Sequence, residues 1–179
     1  MCDHNDLIRP ALDAGARNAA IIQTEDIVVS SVFRDICAGN ACGKYGRCWM
    51  CPPDVGEIGE LMARLRTYRH GLLYQTIHTI EDSFDIEGMG EASREHARVS
   101  QRVNDAVKPL LPGCLHLSCG GCNLCERCAK LDGEPCRFPG KALPPMEGYG
   151  IDVYNTTKPT DLKYINGQNT VTYFGIVLF

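Results

Sequence analysis

Cys122-Asn-Leu-Cys125-Glu-Arg-Cys128 sets three thiols at successive steps of three residues, and Cys136 follows after a short gap. A second set lies upstream, where Cys37, Cys42, Cys48 and Cys51 share one glycine-rich segment. Repeated C-x-x-C steps turn neighbouring sulfurs toward a common point, which suits an inorganic core and suits a disulfide poorly. All 11 cysteines except Cys2 fall in the two segments, 37–53 and 114–140. The chemistry on offer is thiolate coordination of a metal.

In the first loop, Gly39, Gly43 and Gly46 are interleaved with the cysteines and let backbone N–H groups approach an anionic sulfur core. Cys51-Pro52 has the form of the Cys-Pro that closes many iron–sulfur motifs. Trp49 lies between two ligand candidates, where it either shields a cluster or packs the loop. Structural zinc also takes four cysteines, usually from two tight knuckles, and only Cys48-x2-Cys51 has that form well. Iron–sulfur is the preferred expectation for this loop.

The second loop offers two ligand registers. One takes Cys119, Cys122 and Cys125; the other takes Cys122, Cys125 and Cys128 with Cys136 as the remote fourth ligand. The second is preferred, because Pro135 and Pro139 stiffen the return at Cys136 and Arg137 supplies a cation against thiolate charge. Cys114 and Cys119 are then spare thiols, or serve a third site or as exchange ligands, and no role is read for Cys2.

With 179 residues, 44% of them hydrophobic, the chain is long enough to bury one core. A net charge of −4 gives no basic field for nucleic acid or a membrane surface. The N-terminus lacks a signal peptide's basic and apolar regions, and no apolar run approaches a membrane span. Clustered thiols without an export signal fit a reducing cytoplasm.

The positioning elements read as alternating helix and strand. A helix over 5–16 closes at Gly15; β-prone runs at 19–24 and 27–32 flank a turn at Glu25-Asp26. Asp54 and Glu57 form a capping-box pattern before Ile58, Leu61, Met62 and Leu65, so a helix starting there aims its N-terminus at the first loop. A strand at 71–80 precedes a long helix at 91–108, whose inward stripe is Ala92, Val99, Val103 and Ala106; His96 on that stripe reads as a satisfied core histidine. Leu115–Leu117 is a short strand, Pro144-Pro-Met-Glu-Gly148 a helical turn, and 170–179 a terminal strand at or beside the sheet's centre. The expectation is a single α/β or α+β domain over 1–179: a small sheet, flanking helices and two irregular cysteine loops.

Three motifs in order, Cys42-Gly-Lys-Tyr-Gly-Arg-Cys48-Trp-Met-Cys51-Pro-Pro, then Cys122-x2-Cys125-x2-Cys128-x7-Cys136-Arg-Phe-Pro, then Pro145-Met-Glu-Gly-Tyr-Gly-Ile-Asp-Val153, resemble the predicted metal-binding proteins grouped as domain of unknown function 2284. The resemblance spans most of the chain. It implies metal binding, iron–sulfur in kind, in an anaerobic cytoplasm. The residues and the resemblance together lead to one expectation: two [4Fe–4S] clusters on Cys37, Cys42, Cys48 and Cys51 and on Cys122, Cys125, Cys128 and Cys136. Their work would be electron transfer to or from a redox partner protein. Two alternatives stand beside it. One is an iron–sulfur enzyme with an open iron and a carboxylate, Glu147 or Asp152, as acid or base. The other is an interaction module stabilised by zinc.

Overall fold

The computed structural model describes residues 4–179, with side chains from residue 6 onward. Its frame is a four-stranded antiparallel sheet: β1 (Asn18–Gln23), β2 (His70–Thr79), β3 (Leu115–Leu117) and β4 (Thr170–Leu178) stand in the order β1-β2-β4-β3. The helices are α1 (Ile8–Asp13), α2 (Val32–Ala38), α3 (Ile58–Leu65), α4 (Ile86–Val107) and α5 (Val153–Thr157). The architecture is mixed α/β, as expected, and the terminal strand β4 is central. No helix among the described residues is long and apolar enough to cross a membrane.

Period-two alternation sorts the sheet's side chains into two cores. Leu72 and Tyr74 of β2 and Val177 of β4 face α1 and α4, where they meet Leu7, Ala11, Val99, Val103 and Val107. Leu73, Phe174, Ile176 and Leu178 face the other way, onto Leu61 and Leu65 of α3 and onto Met146, Tyr149 and Ile151. With both faces covered, β2 reads as a near-continuous buried run from Gly71 to Thr76. Burying side chains of this kind contributes about 1.5–3 kcal/mol each before the entropy of ordering is charged.

Several elements differ from the sequence expectation. The run 27–32 forms no strand: it makes one isolated bridge, Val29 to Ile151, and turns into α2 at Val32. Its β-branched residues have no neighbouring strand to pair with, so propensity is overridden. Asp54 does not cap a helix. Its carboxylate pairs with Lys130 at 2.5 Å, and α3 starts only at Ile58, behind Glu57, which supplies no side-chain cap. α4 begins earlier than read, where Asp85 accepts from the Gly88 N–H at 2.8 Å. Ala106 is exposed, and Val107 takes its place in the buried stripe.

Candidate metal centre

Cys37 lies in the last turn of α2. One turn earlier, Arg34 donates through Nη2 to the carbonyls of Gly56 and Gly148, each at 3.0 Å. These bonds pin α2 across the 3-10 turn Met146–Tyr149 and set Cys37 beside the Glu147 carboxyl. Burial pushes the Cys37 thiol pKa up, and Glu147 and Cys42 add to it against the opposing Arg34.

The first loop then folds back on itself. Gly46 N–H donates to the Pro52 carbonyl at 2.8 Å and Cys51 N–H to the Cys48 carbonyl at 3.0 Å. Cys48 and Cys51 end up buried, while Cys42 stays exposed. The Cys48 and Cys51 thiols share a hydrogen bond, and the backbone N–H groups of Met50 and Cys122 point at the Cys48 sulfur. Those donors, Cys51 first, hold Cys48 well below the usual thiol range, while its bond to Cys48 and then burial push Cys51 up. As a pair they give up one proton readily and the second with difficulty.

Cys48 is therefore the junction between the two cysteine segments, and beside it Gly121 of the second loop lies against side chains of the first. A Cβ there would lie 2.8 Å from Lys44 Cγ and 3.3 Å from the Cys51 sulfur, so a side chain at 121 would have to displace Lys44. A cavity of about 30 Å³ opens along this seam, lined by Cys48, Cys122, Cys125, Cys128 and Cys136, with Trp49 and Arg137 in its wall. Burial raises the Cys122 thiol, and Cys48, Cys136 and Cys125 raise it further. Trp49 clamps the seam: its Nε1 donates to the Glu134 carbonyl at 2.9 Å, and Lys130 Nζ stands 4.6 Å above its ring. Lys130 in turn holds Asp54, so each loop grips the other. Arg137 donates to the Arg127 carbonyl at 2.8 Å within the second loop.

The structure thus brings Cys48 to the four thiols of the preferred second set. Cys37, Cys42 and Cys51 do not line that cavity, although the Cys51 sulfur lies against Gly121 of the second loop; Cys42 influences both Cys37 and Cys51. Among the described residues, no three Cys, His, Asp or Glu side chains already form a ligating group. The donor chemistry fits a thiophilic metal: five sulfurs face one cavity with backbone N–H groups and two cations close by. In volume the cavity matches about one water molecule. That is room for a single ion and less than a four-iron core occupies.

Cys119 does not line this cavity; it lines a neighbouring cleft with Cys122 and Cys125. Its thiol is raised well above the usual range, by burial first and then by Glu147. Cys114 packs against the core cluster under α4. Cys2 lies outside the described residues. Glu147 is half-buried as a residue, but its Oε2 is shut from solvent with no hydrogen-bond partner. Burial raises its carboxyl pKa against two backbone N–H groups, its own and that of Gly120. Asp152 instead caps α5, accepting from Asn155 N–H at 3.0 Å and from Asn155 Nδ2 at 2.6 Å.

Reading the sequence missed a buried polar chain beneath α4. His78 Nε2 meets Thr76 Oγ1 at 2.9 Å, and Thr76 Oγ1 meets His96 Nδ1 at 2.8 Å. His96 Nε2 lies 3.3 Å from Ser100 Oγ, which accepts from Tyr74 OH at 2.8 Å and sits 3.0 Å from Ser118 Oγ. His116 Nε2 joins at Tyr74 OH, 2.8 Å away. Burial pushes His96 down to about 4 and His116 down to about 3, so both rings are neutral near pH 7. His96 is the satisfied core histidine expected. A signal for the rest was present: His96, Ser100 and Asn104 repeat every four residues, and Tyr74, Thr76 and His78 every two.

No curated protein and no solved structure matches this chain. One family model does, over residues 20–179, nearly the whole length. The chain, with its thiols gathered from two distant segments, belongs to the family described as predicted metal-binding protein (DUF2284).

Proposed function

We propose that the protein carries two [4Fe–4S] clusters and passes single electrons to or from a partner protein in the cytoplasm. Cys37, Cys42, Cys48 and Cys51 would hold one cluster, and Cys122, Cys125, Cys128 and Cys136 the other. When bound, the clusters supply one-electron redox chemistry. The observation that supports this reading is the junction at Cys48 and Cys122, where one thiol of the first loop lines a cavity with the four thiols of the second. The chain's own residues do the rest: backbone N–H groups stabilise thiolate charge, Trp49 limits water, and Arg137 and Lys44 offset negative charge.

The test is one-electron reduction. Anaerobic protein treated with dithionite should give the low-temperature paramagnetic resonance signal of reduced four-iron clusters. A protein that keeps its iron but gives no signal, and whose visible absorption does not bleach, would count against electron transfer.

Two other readings each have an observation behind them. The small cavity among the five thiols favours a single thiophilic ion, zinc above all, in an interaction module. The buried, unpaired Glu147 Oε2 beside Cys37 and Cys119 favours an enzyme that uses this carboxyl as acid or base.

A further inference from the structure

Next to the seam cavity, sharing Lys44, Cys122 and Cys125 with it, a cleft of about 420 Å³ opens between α4 and the second cysteine loop. That volume lies within the usual range for small-molecule sites. Its walls carry Lys44, Arg94 and Arg98 against a single carboxylate, Glu126, in a protein whose net charge is −4. Lys44 Nζ is steadied by Asn123 Oδ1 at 3.2 Å, and Arg98 by Glu95 at 2.8 Å. Arg94 has no hydrogen-bond or ion-pair partner among the described residues. Deeper in the cleft lie Ser100, Ser118 and Cys119.

The two serines are also the end of the buried polar chain from His78. Ser100 Oγ accepts from Tyr74, which leaves its own hydrogen and one lone pair for His96 and Ser118. The chain is therefore satisfied in two opposite orderings. In one, Ser100 donates to Ser118 and the Ser118 hydroxyl is free to donate into the cleft. In the other, Ser118 donates to Ser100 and presents only lone pairs. An acceptor oxygen in the cleft selects the first ordering, and the hydrogens along His96, Thr76 and His78 follow it.

We propose that this cleft binds a small organic carboxylate, held by Lys44, Arg94 and Arg98 and hydrogen-bonded by the Ser118 hydroxyl. The ligand would lie against Cys119, Cys122 and Cys125, next to the metal centre. The proposal goes beyond metal carriage and does not depend on which metal the thiols hold.

The experiment is calorimetric titration of the anaerobically purified, metal-loaded protein with succinate, alongside analysis of its iron, sulfide and zinc. Succinate should bind, with an affinity that falls as salt is raised. Arg94→Gln should weaken it at least ten-fold and Ser118→Ala several-fold, while Lys158→Gln, a cation placed on Tyr154 instead, leaves it unchanged. Melting midpoint and metal content guard against misfolded variants. Absence of binding by a protein with full iron and a normal melt overturns the site and leaves the electron-transfer reading standing. Binding by a protein loaded only with zinc upholds the site and overturns the iron–sulfur reading. If Arg94→Gln leaves succinate affinity intact and moves only the redox potential, the cations serve thiolate charge and the proposal is wrong.

Discussion

Gly175 stands directly across the β2–β4 ladder from Tyr74, and a Cβ at Gly175 would overlap the Tyr74 hydroxyl. The missing side chain makes the room in which Tyr74, Ser100 and His116 meet. Gly175→Ala should therefore cost about 1–3 kcal/mol, as overpacking of a filled core does. Tyr74→Phe keeps the ring and leaves two buried partners one bond short, at a similar cost of about 1–3 kcal/mol. Urea midpoints measure both, and an unchanged midpoint for Gly175→Ala would mean the ladder shifts freely at this pair.

The neutral histidines make stability depend on pH. Burial holds His96 at about 4 and His116 at about 3, below the usual value near 6.5. Between those limits the unfolded chain binds more protons than the folded one, so stability falls as pH is lowered from about 6.5 toward 4. Thiolate protonation adds to the same trend where metal is bound. His116→Asn separates the two, since it should flatten the slope of unfolding free energy with pH without altering metal content at pH 7.

The clamp at the seam predicts a kinetic effect. Trp49→Phe removes the bond to the Glu134 carbonyl and weakens the contact with Lys130. Stability should drop by about 1 kcal/mol, and loss of metal to a chelator should speed up several-fold. Equal chelation rates for wild type and variant would show that Trp49 packs its own loop and holds nothing across the seam.

The strands β2 and β4 were legible because Leu, Ile, Val, Tyr and Phe crowd runs that the fold buries, so composition and burial agree. The run 27–32 misled because β-branched residues carry no information on whether a partner strand exists. Asp54 fitted a capping box, but a half-buried partner from the distant second loop, Lys130, takes its carboxylate. Such a pairing spans 76 positions and leaves no local trace. The cysteines announced a metal site by spacing alone. That Cys48 turns toward Cys122 was beyond reach, because it depends on how two loops dock across Gly121.

The placement of Cys119 bears on the ligand register. Its thiol sits beside Glu147 and shares a cleft with Cys122 and Cys125, whereas Cys128 and Cys136 line the seam cavity with those two. Cys128→Ser or Cys136→Ser should remove about four irons per chain or leave an unstable three-iron remnant. Cys114→Ser and Cys119→Ser should leave the iron count intact. Loss of a cluster in Cys119→Ser together with retention in Cys128→Ser would establish the register of Cys119, Cys122 and Cys125 instead.

Iron, acid-labile sulfide and zinc, counted per chain on protein purified without oxygen, test the central claim most directly. Two four-iron clusters require about eight irons and about eight sulfides, with zinc well below one. One zinc per chain, without iron or sulfide, would contradict the account and make the cavity at Cys48 and Cys122 the seat of a single structural ion.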